Sequence, residues 1–193
     1  MTDVEVRPRP ADAADAAAAA VRPGSVGEHR IQDAQGTTAR AAKFYDAQMR
    51  DQLLPSMVEF VERMSMVFVA TSTPSRCDSA LRSGAPGFLQ VLDPQHLAYP
   101  EHRGRGANAS LDNIGENPHV GLLMVDFVEA RIGLHVNGTA RAVGDAALRA
   151  EHPQLPPQPD PGADDVWVLV EVEEAFIHCR KHIPRMASLH RGA

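Results

Sequence analysis

The sequence predicts a mainly β fold of the α+β kind: an antiparallel barrel of six or seven strands with helices at its periphery. Three observations carry this. Short apolar and β-branched runs recur between Met66 and Cys179, mostly joined by short turns. Two of them alternate in side-chain character, as half-buried strands do. Helical periodicity is confined to the start of the chain and to two crossovers.

The elements follow in order. Residues 1–26 are rich in Ala, Pro and Asp and lack apolar periodicity, so they read as a disordered or loosely docked tail before one domain, 27–193. A helix is expected from Thr37 or Thr38, with Ala41, Phe44, Tyr45, Gln48 and Met49 at helical spacing. A second runs from about Leu54 to Met64, where Met57, Phe60, Val61 and Met64 recur at i, i+3, i+4 and i+7 and Pro55 suits the first turn. MVFVATS (66–72) reads as a buried strand, and CDSALRSG (77–84) as its hairpin partner. GFLQVLD (87–93) and HLAYPE (96–101) form a second pair about Asp93-Pro94. A glycine- and arginine-rich loop and a short helix follow, closed by Asn117-Pro118. HVGLLMVDF (119–127) and RIGLHVNGTARAV (131–143) are strands; in the latter Leu134, Val136, Gly138 and Ala140 share one face. A brief helix (145–155) precedes the longest strand, VWVLVEVEEAFIHC (166–179). There Val166, Val168, Val170 and Val172 face one side, and Trp167, Leu169, Glu171 and Glu173 the other.

The 193 residues suggest a core that stands without staples. The net charge of −6, with no basic helix or aromatic-plus-basic strand, argues against a nucleic-acid partner. No stretch reaches the roughly 18 to 20 apolar residues that span a bilayer. The alanine run is preceded by Asp3, Glu5, Asp12 and Asp15 and does not read as a signal peptide. The expected setting is the cytoplasm, with Cys77 and Cys179 as reduced thiols.

Candidate chemistry concentrates in two places. In EHRGRGANAS, Arg103 and Arg105 alternate with glycines just before a helix that starts near Asn108 or Ser110. Glycine admits close backbone approach, arginine forks match phosphate oxygens, and a helix N-terminus offers free N–H groups. The competing reading is a solvated loop with a capped helix. It is neither a Walker loop nor the dinucleotide fingerprint. Arg82 is a second candidate: it ends a strand, and Ser83-Gly84-Ala85-Pro86-Gly87 after it is flexible enough to hug a planar ligand, the competing reading being a surface arginine at a turn. Near the C-terminus, AFIHCRKHIP packs His178, Cys179, Lys181 and His182 together. If the strand persists, His178, Arg180 and His182 share one side, Cys179 and Lys181 the other. His178 and His182 would then lie roughly 13 Å apart, so no shared metal is expected. Cys179 reads as a small buried residue rather than a nucleophile, and Lys181 as a phosphate or cofactor contact.

In order and spacing, MVFVATS, CDSALRSGAPGFLQVLD, LAYPEHRGRGANASLDNIGENPHVGLLMVD, IGLHVNGTARAV and EVEEAFIHCRKHIPRM resemble the pyridoxamine 5′-phosphate oxidase-like, flavin-binding split-barrel proteins. More narrowly, they look like an actinobacterial-type subgroup known only as oxidase family proteins. The resemblance covers about residues 28–186. It implies a six-stranded antiparallel split β-barrel, a homodimer with flavin mononucleotide (FMN) at the interface, and an oxidoreductase acting on a small molecule with an electron donor. Carried over, Arg82 and Ser83, with Arg103, Arg105, Asn108 and Ser110, would surround the phosphate. Tyr99 and Pro100 would line the ring or ribityl chain, and His178 and Lys181 belong to a block near the cofactor cleft. The tail RMASLHRGA lacks the tryptophan of true pyridoxamine phosphate oxidases, so another substrate is implied. A deazaflavin or haem, bound with or without turnover, is the alternative.

Overall fold

The protein is described here by a computed structural model covering residues 23–101, 109–156, 166–178 and 180–187. The chain separates into two units, one up to Gln48 and one from Met49. The first holds α1 (Val26–Ala34) and α2 (Thr38–Gln48). The sequence reading starts its helices at Thr37, so α1 is an addition. Its beginning has a physical signature: the Ser25 hydroxyl accepts the Glu28 N–H at 3.1 Å, the side-chain cap that relieves an orphan donor. Gly36, at φ +64°, turns the chain between the helices. The pair is pinned by polar contacts. The Tyr45 hydroxyl donates to Glu28 at 2.5 Å and accepts from Gln32 at 2.7 Å.

The second unit starts with α3 (Pro55–Arg63), whose Met57, Phe60 and Val61 are buried, as is Met64 just beyond it. Among the described residues seven strands follow: β1 (Met66–Ser72), β2 (Cys77–Ser83), β3 (Gln90–Asp93), β4 (His96–Glu101), β5 (His119–Val125), β6 (Gly133–Gly144) and β7 (Val166–His178). They form one antiparallel sheet in the order β2-β1-β5-β6-β7-β4-β3. This is the mainly β, split-barrel architecture expected, with a short seventh strand, β3. The sheet curls because one face of each long strand is apolar and must leave water. Val67 and Val69, Leu122 and Met124, Leu134 and Val136, Val168 and Val170, and Leu97 and Tyr99 enclose a core with α3. Each fully buried side chain of this size contributes roughly 1.5–3 kcal/mol.

Two crossovers complete the unit. α4 (Ala109–Glu116) joins β4 to β5, and α5 (Asp145–Glu151) lies between β6 and β7. α5 supports a second, smaller core of Ala98, Leu148, Leu155, Trp167 and Leu169. Asp145 fastens it, accepting from the Trp167 indole at 2.8 Å and from Arg149 Nε at 2.8 Å. Among the described residues no helix is long and apolar enough to cross a membrane.

The β6–β7 pairing carries an irregularity that the strict alternation above does not contain. Gly138 pairs with Val172, but Asn137 pairs with Glu174, so Glu173 is an extra residue in β7. A Cβ at Gly138 would lie 1.9 Å from the Glu171 carbonyl oxygen, so the bulge requires glycine there. The bulge reverses the strand's parity. Before it Val168, Val170 and Val172 face inward; after it Ala175 and Ile177 do. Phe176 and His178 therefore point outward.

Candidate functional site

Strand alternation on β2 sends Asp78, Ala80 and Arg82 to the less exposed side and Ser79, Leu81 and Ser83 to the more exposed one. On β4 the inward residues are Leu97, Tyr99 and Glu101, all buried. β2 is one edge of the sheet, and β4 lies next to the other edge. Arg82 spans the split between them. Its Nε donates to Glu101 Oε2 at 2.8 Å, and its Nη2 lies 2.7 Å from Glu101 Oε1. This is the two-pronged guanidinium–carboxylate geometry.

α4 supplies the third wall. Ser110, buried near the helix start, accepts from Arg82 Nη2 at 3.2 Å and donates to Asp78 Oδ2 at 2.9 Å. The helix is tied to β1, because Asn113 Nδ2 donates to Thr71 Oγ1 at 3.0 Å and Asn117 Nδ2 donates to Ser72 Oγ at 3.2 Å. Thus β1, β2, β4 and α4 meet at one polar cluster.

The electrostatics follow from this packing. Burial works against the charged guanidinium, but the hydrogen bond and attraction from Glu101 outweigh it and hold the Arg82 pKa above its ordinary value. Tyr99 is fully buried, and its phenol is pushed upward by burial first and by the Glu101 charge second, with Arg82 opposing. Its hydroxyl finds no hydrogen-bond partner among the described residues. A buried, neutral O–H donor beside this ion pair invites an acceptor.

These residue types suit a phosphate. An arginine fork, a hydroxyl and a helix start converge, and the Glu101 carboxylate is the anion that the fork grips.

Other sequence candidates fall elsewhere. Ser83 is exposed on the opposite side of β2 from Arg82. Pro100 alternates with Tyr99 and pairs with Trp167, so the two face opposite sides of β4. Arg103, Arg105, Asn108 and Cys179 lie outside the described residues. β7 ends at His178, and Arg180–His182 form a 3-10 turn with Lys181 exposed. That turn corrects the extended geometry expected for this segment. The His178 and His182 rings are 6.5 Å apart, not about 13 Å. His135 joins them, stacked on Phe176 at 4.5 Å and 5.7 Å from His178. Burial and then the neighbouring His178 lower the His135 pKa from 6.5. No group of three or more His, Cys, Asp or Glu among the described residues is arranged to hold a metal.

The structure thus brings Arg82 and Ser110 together and leaves His178 on the outer face. Sequence reasoning missed Glu101 and Asp78. The signal for Glu101 was present in LAYPE, where alternation puts a carboxylate on the inward row of Leu97 and Tyr99.

No curated protein sequence matches the chain. Among solved structures it is similar to HupZ of Group A Streptococcus, at 16% identity and a TM-score of 0.49, over 70% of this chain and 99% of that one. It is similar to the FAD binding protein of Mycobacterium smegmatis at 16% identity and 0.46, over 66% and 98%. General Stress Protein 26 of Bacillus anthracis gives 13% and 0.46, over 63% and 90%. The family model described as pyridoxamine 5′-phosphate oxidase matches residues 53–179, which span α3, all seven strands and the Arg82–Ser110 cluster. The chain belongs to the pyridoxamine 5′-phosphate oxidase family.

Proposed function

We propose that this protein is a flavin-dependent oxidoreductase that binds FMN and acts on a small molecule other than pyridoxamine phosphate. The observation that carries the reading is the meeting of Arg82 and Ser110, from a strand and a helix start, with the arginine fork gripping the Glu101 carboxylate. Bound flavin would supply the hydride or single-electron chemistry. The chain's own residues bind and orient it. Arg82 and Ser110 hold the phosphate. Arg103, Arg105 and Asn108 are assigned to the same phosphate on their sequence alone. Tyr99, kept protonated by burial, offers a neutral donor.

A homodimer fits the same reading. Leu81, Phe68, Leu123, His135 and Phe176 are successive cross-strand neighbours along the outer face of five strands. Leu81 and Phe68 are exposed. A second copy of this chain would cover such a row.

The test is the absorption spectrum of the purified protein, with FMN added if it emerges colourless. Flavin bands that bleach anaerobically with a nicotinamide donor support the reading. A colourless protein whose Tm is moved by neither FMN nor a deazaflavin contradicts it. A second reading, haem binding without turnover, rests on the exposed imidazoles of His178 and His182; a Soret band lost in the His178→Ala, His182→Ala double variant would favour it.

A further inference from the structure

Arg82 has five N–H donors. Nε–H and one Nη2–H serve Glu101, the other Nη2–H serves Ser110, and an Nη1–H reaches the Leu81 carbonyl oxygen at 3.3 Å. One is left. The single proton of Ser110 is committed to Asp78. Besides that N–H and the unpartnered Tyr99 hydroxyl, the residues of this cluster hold no donor in reserve for a phosphate while Glu101 stays in place. The charge on the described residues points the same way, since Asp78 and Glu101 both act on Arg82. A dianion brought beside both carboxylates meets repulsion in a partly desolvated setting.

We propose that Glu101 is an internal competitor for the anion site, and that the flavin phosphate enters by taking Arg82 from it. This rests on the flavin reading above. Affinity is then set by the difference between two anions in one fork, and Glu101 lowers it for phosphorylated ligands only.

The experiment compares FMN with riboflavin, which has the ring and ribityl chain but no phosphate. Fluorescence-quenching titrations are run on the wild-type chain and on Glu101→Gln, which keeps the size and removes the charge. FMN is expected to bind the variant about tenfold more tightly, equivalent to about 1.4 kcal/mol. Riboflavin is expected to bind both alike. Should Glu101→Gln fail to fold, Glu101→Asp withdraws the carboxylate by one methylene and is expected to tighten FMN by a smaller factor. Equal FMN affinities, or equal gains for FMN and riboflavin, overturn the competitor role and leave the flavin reading standing. If no variant and not the wild type binds either flavin, both ideas fall.

Discussion

Arg82 lies on one edge strand of the sheet and Glu101 on the strand next to the other edge, and their side chains meet at 2.7 Å. Among the described residues no backbone ladder joins those strands, so this pair is a side-chain fastening across the split. Removing one partner strands the other. Loss of a fully buried pair's partner costs about 3–5 kcal/mol, but Arg82 keeps partial solvent access, which screens the cost. Glu101→Ala is expected to lower unfolding stability by about 2 kcal/mol, measured by urea denaturation. An unchanged midpoint would mean that the barrel closes without the pair.

The bulge opposite Gly138 gives a sharper stability test. An added Cβ would collide with a backbone oxygen that belongs to a central ladder and cannot swing aside. Gly138→Ala is expected to cost about 2–4 kcal/mol and to lower Tm accordingly. A variant as stable as the parent would show that β7 is regular at this point.

His135 supplies a pH dependence. Its folded pKa lies below 6.5, so between the folded value and 6.5 the unfolded chain holds a proton that the folded chain lacks. Its contribution is present above 6.5 and is lost as pH falls through the folded value. An NMR titration is expected to place the His135 midpoint below 6.5, and His178→Asn to raise it part of the way back, since burial remains. A His135 midpoint at or above 6.5 contradicts the packing against Phe176 and His178.

The outward row through Phe68 makes a prediction about assembly. Phe68→Asp puts a charge in that row, between Leu81 and Leu123. Sedimentation is expected to show a dimer for the wild type and a monomer for the variant. The same mass for both would remove this face as the dimer contact.

The strands were legible because their burial is one-sided. MVFVATS and HLAYPE have the bounds read from sequence, and the buried faces of β6 follow its alternation. α3 was legible through Met57, Phe60, Val61 and Met64. α1 was not, because its periodicity is weak and its clearest marker is a single serine cap at Ser25. The outward turn of His178 was not legible either. Parity counted along the strand fails at an extra residue, and Glu173 looks like any other solvated glutamate. Arg82 and Ser110 were found by residue type and by resemblance. Their pairing with Glu101 and Asp78 depends on residues 19 and 32 positions apart meeting, one pair across the split and one between α4 and β2, which local pattern does not encode.

The central claim is that Arg82 anchors a flavin phosphate. It is tested most directly by titrating FMN into the wild-type chain and into Arg82→Ala, following flavin fluorescence. The account expects saturable quenching with about one flavin per chain for the wild type, and at least tenfold weaker binding for Arg82→Ala, the loss of about one charge-assisted contact. Equal FMN affinities for the two proteins would contradict it.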